Sequence, residues 1–233
     1  MKHKAWQRQK LLQKQYSIDD LPDIKELVNI INNIKIGNGQ YANYYTARAR
    51  ALFCMYYLTG CRVSEIVKCN SLRISHRYII NKKVINEVKK IEHDYLGIKK
   101  EDIFFTRIDE KQCIIIRTEN RKHKKRKTKK LPIPIEFEKP IVSFLIEYLI
   151  NYIENDEVLF PFGVKRATQI INQTTGWNVH FIRHIRATHL VTKYDYNEQL
   201  LIKFLGWTDS RPAKAYMELN TKDLFRQFYS GRN

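Results

Sequence analysis

The feature that most constrains this chain is a change of hydrophobic period in its middle third. Ile24, Leu27, Val28, Ile31 and Ile34 recur at helical spacing, started by Ser17, Asp19, Asp20 and Pro22 and stopped at Gly37 and Gly39. Residues 44 to 58 repeat the pattern, with Tyr45, Ala49, Leu52, Phe53 and Tyr56 on one face and Gly60 closing the helix in a left-handed turn. From residue 77 to 135 the apolar residues instead fall in short β-type runs, at 78–80, 102–105, 113–116 and 131–135. Those runs predict a small antiparallel sheet, with Pro132 and Pro134 marking an edge or a strand end. Helical spacing then returns over 141–150, 164–173, 183–193, 198–204 and 211–219, followed by an apolar face of Leu224, Phe225 and Phe228. The expected class is therefore mainly α with a small antiparallel β-sheet. One domain over residues 17–233 is expected behind a basic N-terminal arm, residues 1–16.

Charge narrows the partners. Lys and Arg number 42 against 24 Asp and Glu, a formal net charge of +18. Such an excess suits a polyanion. An anionic membrane fits less well, because the charge is not laid along one amphipathic helix. The longest apolar run, at 51–61, is shorter than the roughly 20 residues of a membrane span. Cys54, Cys61, Cys69 and Cys113 form no Cys-X-X-Cys pair, and the chain opens without a signal-peptide pattern. Reduced thiols in a cytoplasm, beside a nucleoid or viral DNA, are the expectation, with no structural zinc. Between the last two β-type runs, residues 121–130 carry eight Lys or Arg among ten positions. A solvated basic loop or localisation signal would have that composition. Bracketed by strands, it reads better as a hairpin tip that touches DNA, with Lys124, Lys125, Arg126 and Lys127 as phosphate contacts.

Four ordered motifs carry the chemistry. Thr59, Gly60, Cys61 and Arg62 are followed by Glu65; His180, Arg183, His184, Ala187 and Thr188 form a block; Leu205, Gly206 and Trp207 come next; Tyr216 lies nine residues after Trp207. In order and spacing they resemble the dispersed active site of the tyrosine recombinase family, over most of the chain. Taken alone, each residue has a plainer reading: a surface arginine, a structural histidine, a core tryptophan, one packing tyrosine among 14.

The resemblance implies the tyrosine recombinase catalytic-domain fold and a set of roles. Tyr216 is the expected nucleophile, storing bond energy as a phosphotyrosine ester. Arg62 and Arg183 would neutralise the transition-state phosphate, with Glu65 orienting Arg62. His180 would act as general base, His184 and His189 as supports, and Trp207 as an indole N–H donor where many relatives carry histidine. A hairpin lysine would protonate the leaving 5′ oxygen. Lys122 fits that place best, and Lys124 and Lys125 compete with it. The implied activity is site-specific cleavage and rejoining of double-stranded DNA, without metal or other cofactor, by a protein monomeric when free and tetrameric on DNA. A type IB topoisomerase and a catalytically silent DNA-binding protein are the alternatives. Full-length relatives carry a separate N-terminal helical domain, and the short stretch ahead of the helix leading to Arg62 makes a catalytic domain the expectation, either standing alone or cut from a longer protein.

Overall fold

The computed structural model describes residues 21–80, 83–120, 127–208 and 210–217. Helix α1, Ile24–Asn33, begins at Asp23, whose side chain accepts from the Glu26 backbone N–H at 2.8 Å while Glu26 accepts from the Asp23 N–H at 2.8 Å. That reciprocal cap satisfies donors a helix start otherwise leaves open. α1 buries Leu27 and Ile31. Helix α2, Ala42–Thr59, is buried through every residue from Ala51 to Thr59, so it runs through the core and not along its surface. Gly60 ends it at φ 56°. A Cβ at that glycine would lie 2.5 Å from Leu205 Cδ2, so another residue there would be strained in conformation and would require Leu205 to shift. One turn of helix, α3, Val63–Ile66, follows.

Five strands come next. β1, Cys69–Ile80, and β2, Lys83–Tyr95, pair antiparallel as a sheet of their own, while β3, Ile103–Ile108, β4, Lys111–Asn120, and β5, Lys127–Pro134, form a second antiparallel sheet in that order. The expected small antiparallel sheet is present as β3, β4 and β5, and the run at 78–80 belongs to the separate two-stranded ribbon beside it. β2 escaped the sequence pattern for a physical reason: Val84, Ile85, Val88 and Ile91 sit at the spacing of a helix, and cross-strand pairing overrides it. Pro132 and Pro134 lie on β5, an edge strand, as expected. Ile114, Ile116, Leu131 and Ile133 join the helical core.

The remaining helices are α4, Ile135–Tyr152, α5, Val164–Thr175, α6, Val179–Thr192, α7, Glu198–Leu205, and α8, Arg211–Met217. α2 packs against α4 and α6. α6 starts four residues earlier than its apolar pattern, because the Asn178 side chain caps it by accepting from the Phe181 N–H. That extension places His180 on the helix, one turn before His184. A buried Arg186–Glu138 ion pair ties α6 to α4. The basic arm, the hairpin tip with Lys122, Lys124, Lys125 and Arg126, and the face of Leu224, Phe225 and Phe228 lie outside the described residues. Among the described residues no helix is long and apolar enough to cross a membrane, no His, Cys, Asp and Glu cluster could hold a metal, and all four cysteines are buried free thiols.

Candidate active site

The site is assembled where the left-handed turn after α2 meets α6 and the end of α7. Arg62 is the N-cap of α3, and its backbone N–H donates to Glu65 Oε2 at 3.1 Å while its Nη1 donates to Oε1 at 3.1 Å. One carboxylate thereby fixes both the backbone and the guanidinium of Arg62. Glu65 is 1% exposed, and a third partner, Lys129 Nζ, stands 3.6 Å from its Oε2. Burial by itself would push the Glu65 carboxyl up. Lys129, Arg62 and, more weakly, Arg183 outweigh that and hold it below the usual carboxylate range.

Arg183 is held from behind. Its Nη1 donates to the Gly60 carbonyl and its Nη2 to the Leu205 carbonyl at 2.9 Å, so two of its five N–H donors fasten it to the ends of α2 and α7. Burial, then the like charge of Arg62, holds its pKa below the ordinary arginine value, while Glu65 opposes them. Two guanidiniums within reach of each other, served by one carboxylate, leave positive charge for an anion.

The other wall is aromatic. The Arg183 guanidinium lies 5.6 Å from the centroid of the Trp207 ring, and Trp207 stacks on Tyr216 with centroids 5.8 Å apart and planes 15° from parallel. Gly206, at φ 66°, closes α7 and delivers Trp207 to that position. The Tyr216 hydroxyl is hydrogen-bonded to His184 Nδ1. Burial pushes the Tyr216 phenol up, and Arg183 only partly offsets it. His184 is open to solvent on one side. The protein packed around its other side, then the charges of His180 and Arg183, hold it below the ordinary histidine value.

The structure therefore brings together Arg62, Glu65, Arg183, His184, Trp207 and Tyr216, residues the sequence separates by up to 154 positions. His180 is on the same helix as His184, and the hydroxyl of Tyr216 goes to His184. His189 plays a different part: its Nδ1 is 2.8 Å from the buried Tyr57 hydroxyl, and burial, Lys193 and Arg186 push it down to about 3, as for a neutral core imidazole. Lys129 was missed. It lies opposite Thr118 on β5, and its Nζ also contacts Cys61 Sγ at 3.5 Å. Among the lysines of the basic run, strand alternation is the signal that separates Lys129 from the exposed Lys130 beside it.

No protein-family profile matches the chain, and no curated protein matches it. Solved structures do. The XerH site-specific recombinase in a post-cleavage complex with a palindromic difH substrate is similar at TM-score 0.51 and 20% identity, over 88% of this chain and 50% of that one. The XerA recombinase is similar at TM-score 0.50 and 16% identity, over 90% of this chain and 63% of that one. The fold is that of a tyrosine recombinase catalytic domain. The chain spans between half and two thirds of the length of these recombinases.

Proposed function

We propose that this chain cleaves and rejoins strands of double-stranded DNA as a site-specific recombinase, through a 3′-phosphotyrosine intermediate on Tyr216. The observation that carries the reading is the convergence of Tyr216 with two guanidiniums, Arg62 and Arg183, that are fastened in advance by buried partners. The Tyr216 oxygen attacks the scissile phosphorus, and the guanidiniums neutralise the charge that grows on the non-bridging oxygens. Because they are already held, little reorganisation is needed at the moment of reaction. The indole N–H of Trp207 is a further donor on that side. The tyrosyl ester conserves the energy of the broken bond for rejoining, so the reaction needs neither metal nor nucleotide. In this reading DNA is held electrostatically by the basic surface, and tetramers form on paired sites.

The departing 5′ oxygen takes a proton from a lysine of the β4–β5 hairpin. Lys122 is the candidate from sequence, and the placement of Lys129 beside Glu65 and Cys61 favours Lys129. Replacing the 5′ bridging oxygen by sulfur supplies a leaving group that needs no proton. Rescue of Lys129→Ala by that substrate is expected, and rescue of Lys122→Ala in its place moves the role to Lys122.

Covalent capture tests the reading itself. A pool of duplexes randomised around a nick lets the cleaved fragment diffuse away and traps protein on DNA. A denaturation-resistant adduct is expected, absent from Tyr216→Phe, which should still bind DNA. An adduct formed equally by Tyr216→Phe refutes the assignment.

A further inference from the structure

We propose that His184, and not His180, takes the proton from Tyr216 during strand cleavage. The proposal rests on the cleavage reading above and adds a residue to its chemistry. A phenol has one hydrogen to donate, and the Tyr216 hydroxyl is bonded to His184 Nδ1. The two residues come from different helices, α6 and α8, with ring centroids 5.8 Å apart and planes inclined at 36°. Tyr216 is fixed on its other side by the Trp207 stack, so its oxygen is placed rather than free to choose a partner. His180 sits on the first turn of α6 and influences His184 through charge.

The chemistry asks for an acceptor at this place. A tyrosine whose phenol is made harder to ionise by burial attacks poorly unless its proton has somewhere to go as the new bond forms. The charged and titratable groups acting on the His184 imidazole are His180 and Arg183 on its own helix, and Tyr216 faces it from α8. The packing and those charges keep the ring neutral at neutral pH, so Nδ1 has a lone pair to offer, with the other ring nitrogen carrying the hydrogen. In the step, the Tyr216 O–H proton passes to Nδ1 as the phenolic oxygen bonds to phosphorus. The bond from phosphorus to the 5′ oxygen breaks, and that oxygen leaves with the proton of the hairpin lysine. On rejoining, the imidazolium returns its proton to Tyr216 and the lysine recovers its own from the attacking 5′ hydroxyl. Since the protonated ring cannot accept, wild-type cleavage is full near neutral pH and falls as pH drops through the lowered His184 pKa, beneath the ordinary value of about 6.5.

His184→Asn separates proton transfer from placement, because an Asn amide oxygen stands near the position of Nδ1 and accepts a hydrogen bond without taking a proton. Single-turnover adduct formation on the captured nicked duplex is followed from about pH 5 to about pH 9, for wild type, His184→Asn and His180→Asn, with DNA affinity and melting temperature measured alongside. His184→Asn is expected to bind DNA normally, to cleave on the order of 10²-fold more slowly at neutral pH, and to lose the inflection and the neutral plateau, its rate climbing without a break with pH as the phenol ionises. His180→Asn is expected to keep the wild-type inflection and plateau. An inflection and plateau retained in His184→Asn and lost in His180→Asn overturn the proposal while the cleavage reading stands. No adduct from wild type on any duplex overturns both. If His184→Asn melts below wild type, His184→Gln, which also accepts without ionising, must reproduce its pH profile, and a wild-type profile in His184→Gln overturns the assignment.

Discussion

The two walls of the site are held in different ways. Arg62 and Arg183 are fastened by charge-assisted hydrogen bonds to a 1% exposed carboxylate and to the carbonyls that end α2 and α7. Tyr216, on the seven-residue α8, is partly buried against the core and is oriented by a ring stack and one side-chain hydrogen bond to a solvent-facing histidine. The difference follows the chemistry each wall would perform. A phosphate cradle works best when its donors are oriented before the substrate arrives. A nucleophile that must first bond to phosphorus and later be expelled is better carried by few contacts, since each one tuned to a single state would resist the other.

If that contrast is right, damage to the cradle costs most. Arg183→Ala should lower single-turnover adduct formation by at least ~10²-fold, as expected for losing a transition-state charge donor. Arg183→Lys should recover little, because one ammonium cannot span the Gly60 and Leu205 carbonyls and still face a phosphate. An Arg183→Lys variant with near-wild-type cleavage would show that the charge matters and the fastening does not. Next in size is Gly60→Ala, which leaves every cradle side chain in place. It forces a Cβ into the left-handed region and against Leu205, and about 2–3 kcal/mol of stability should be lost in denaturant titrations. A neutral result would mean that α2 and α7 can part at no cost, and the cradle would then not be rigid.

The same contrast explains what could be read from sequence. The helices that carry the cradle announce themselves through apolar periodicity and, for α2, through Gly60, which marks where it ends. Arg62, Arg183, Trp207 and Tyr216 were legible because their spacing is a motif. The partner of the Tyr216 hydroxyl was not, since His180 and His184 lie on one helix and only the position of α8 distinguishes them. Lys129 was hidden for a related reason. In a run of cations composition is the same at every position, and only pairing with β4 shows that residue 129 lies opposite Thr118 and turns toward Glu65. Likewise β2 has a helix-like apolar pattern, and its strand state is imposed by pairing with β1.

Glu65 gives the next smaller effect, and it carries a pH signature. Its carboxyl titrates below the value of about 4.3 expected in an unfolded chain. It therefore adds stability in full above that pH, and the contribution disappears as pH falls through the folded value. Glu65→Gln should cost about 1–2 kcal/mol at neutral pH, since Arg62 and Lys129 keep only a neutral acceptor. The gap between variant and wild type should narrow in acid. Denaturant titrations at neutral and at acid pH decide, and a gap that stays constant would mean that the charge on Glu65 contributes nothing to holding Arg62.

The smallest effect is expected on the nucleophile wall. Trp207→Phe keeps an aromatic ring for Tyr216 to stack on and removes the indole N–H together with part of the surface beneath Arg183. Stability should change by less than ~1 kcal/mol, within the range of a single aromatic pair. Cleavage should slow by about tenfold, the cost of one modest hydrogen bond to a charged group. Trp207→His, which restores an N–H donor but covers Tyr216 less well, sharpens the comparison. If cleavage by the His variant exceeds that of the Phe variant while its melting temperature is lower, the tryptophan serves the phosphate through its N–H and the tyrosine through its ring. If the two variants cleave alike, Trp207 acts only by stacking, and the division between a fastened cradle and a lightly held nucleophile runs between Arg183 and Trp207.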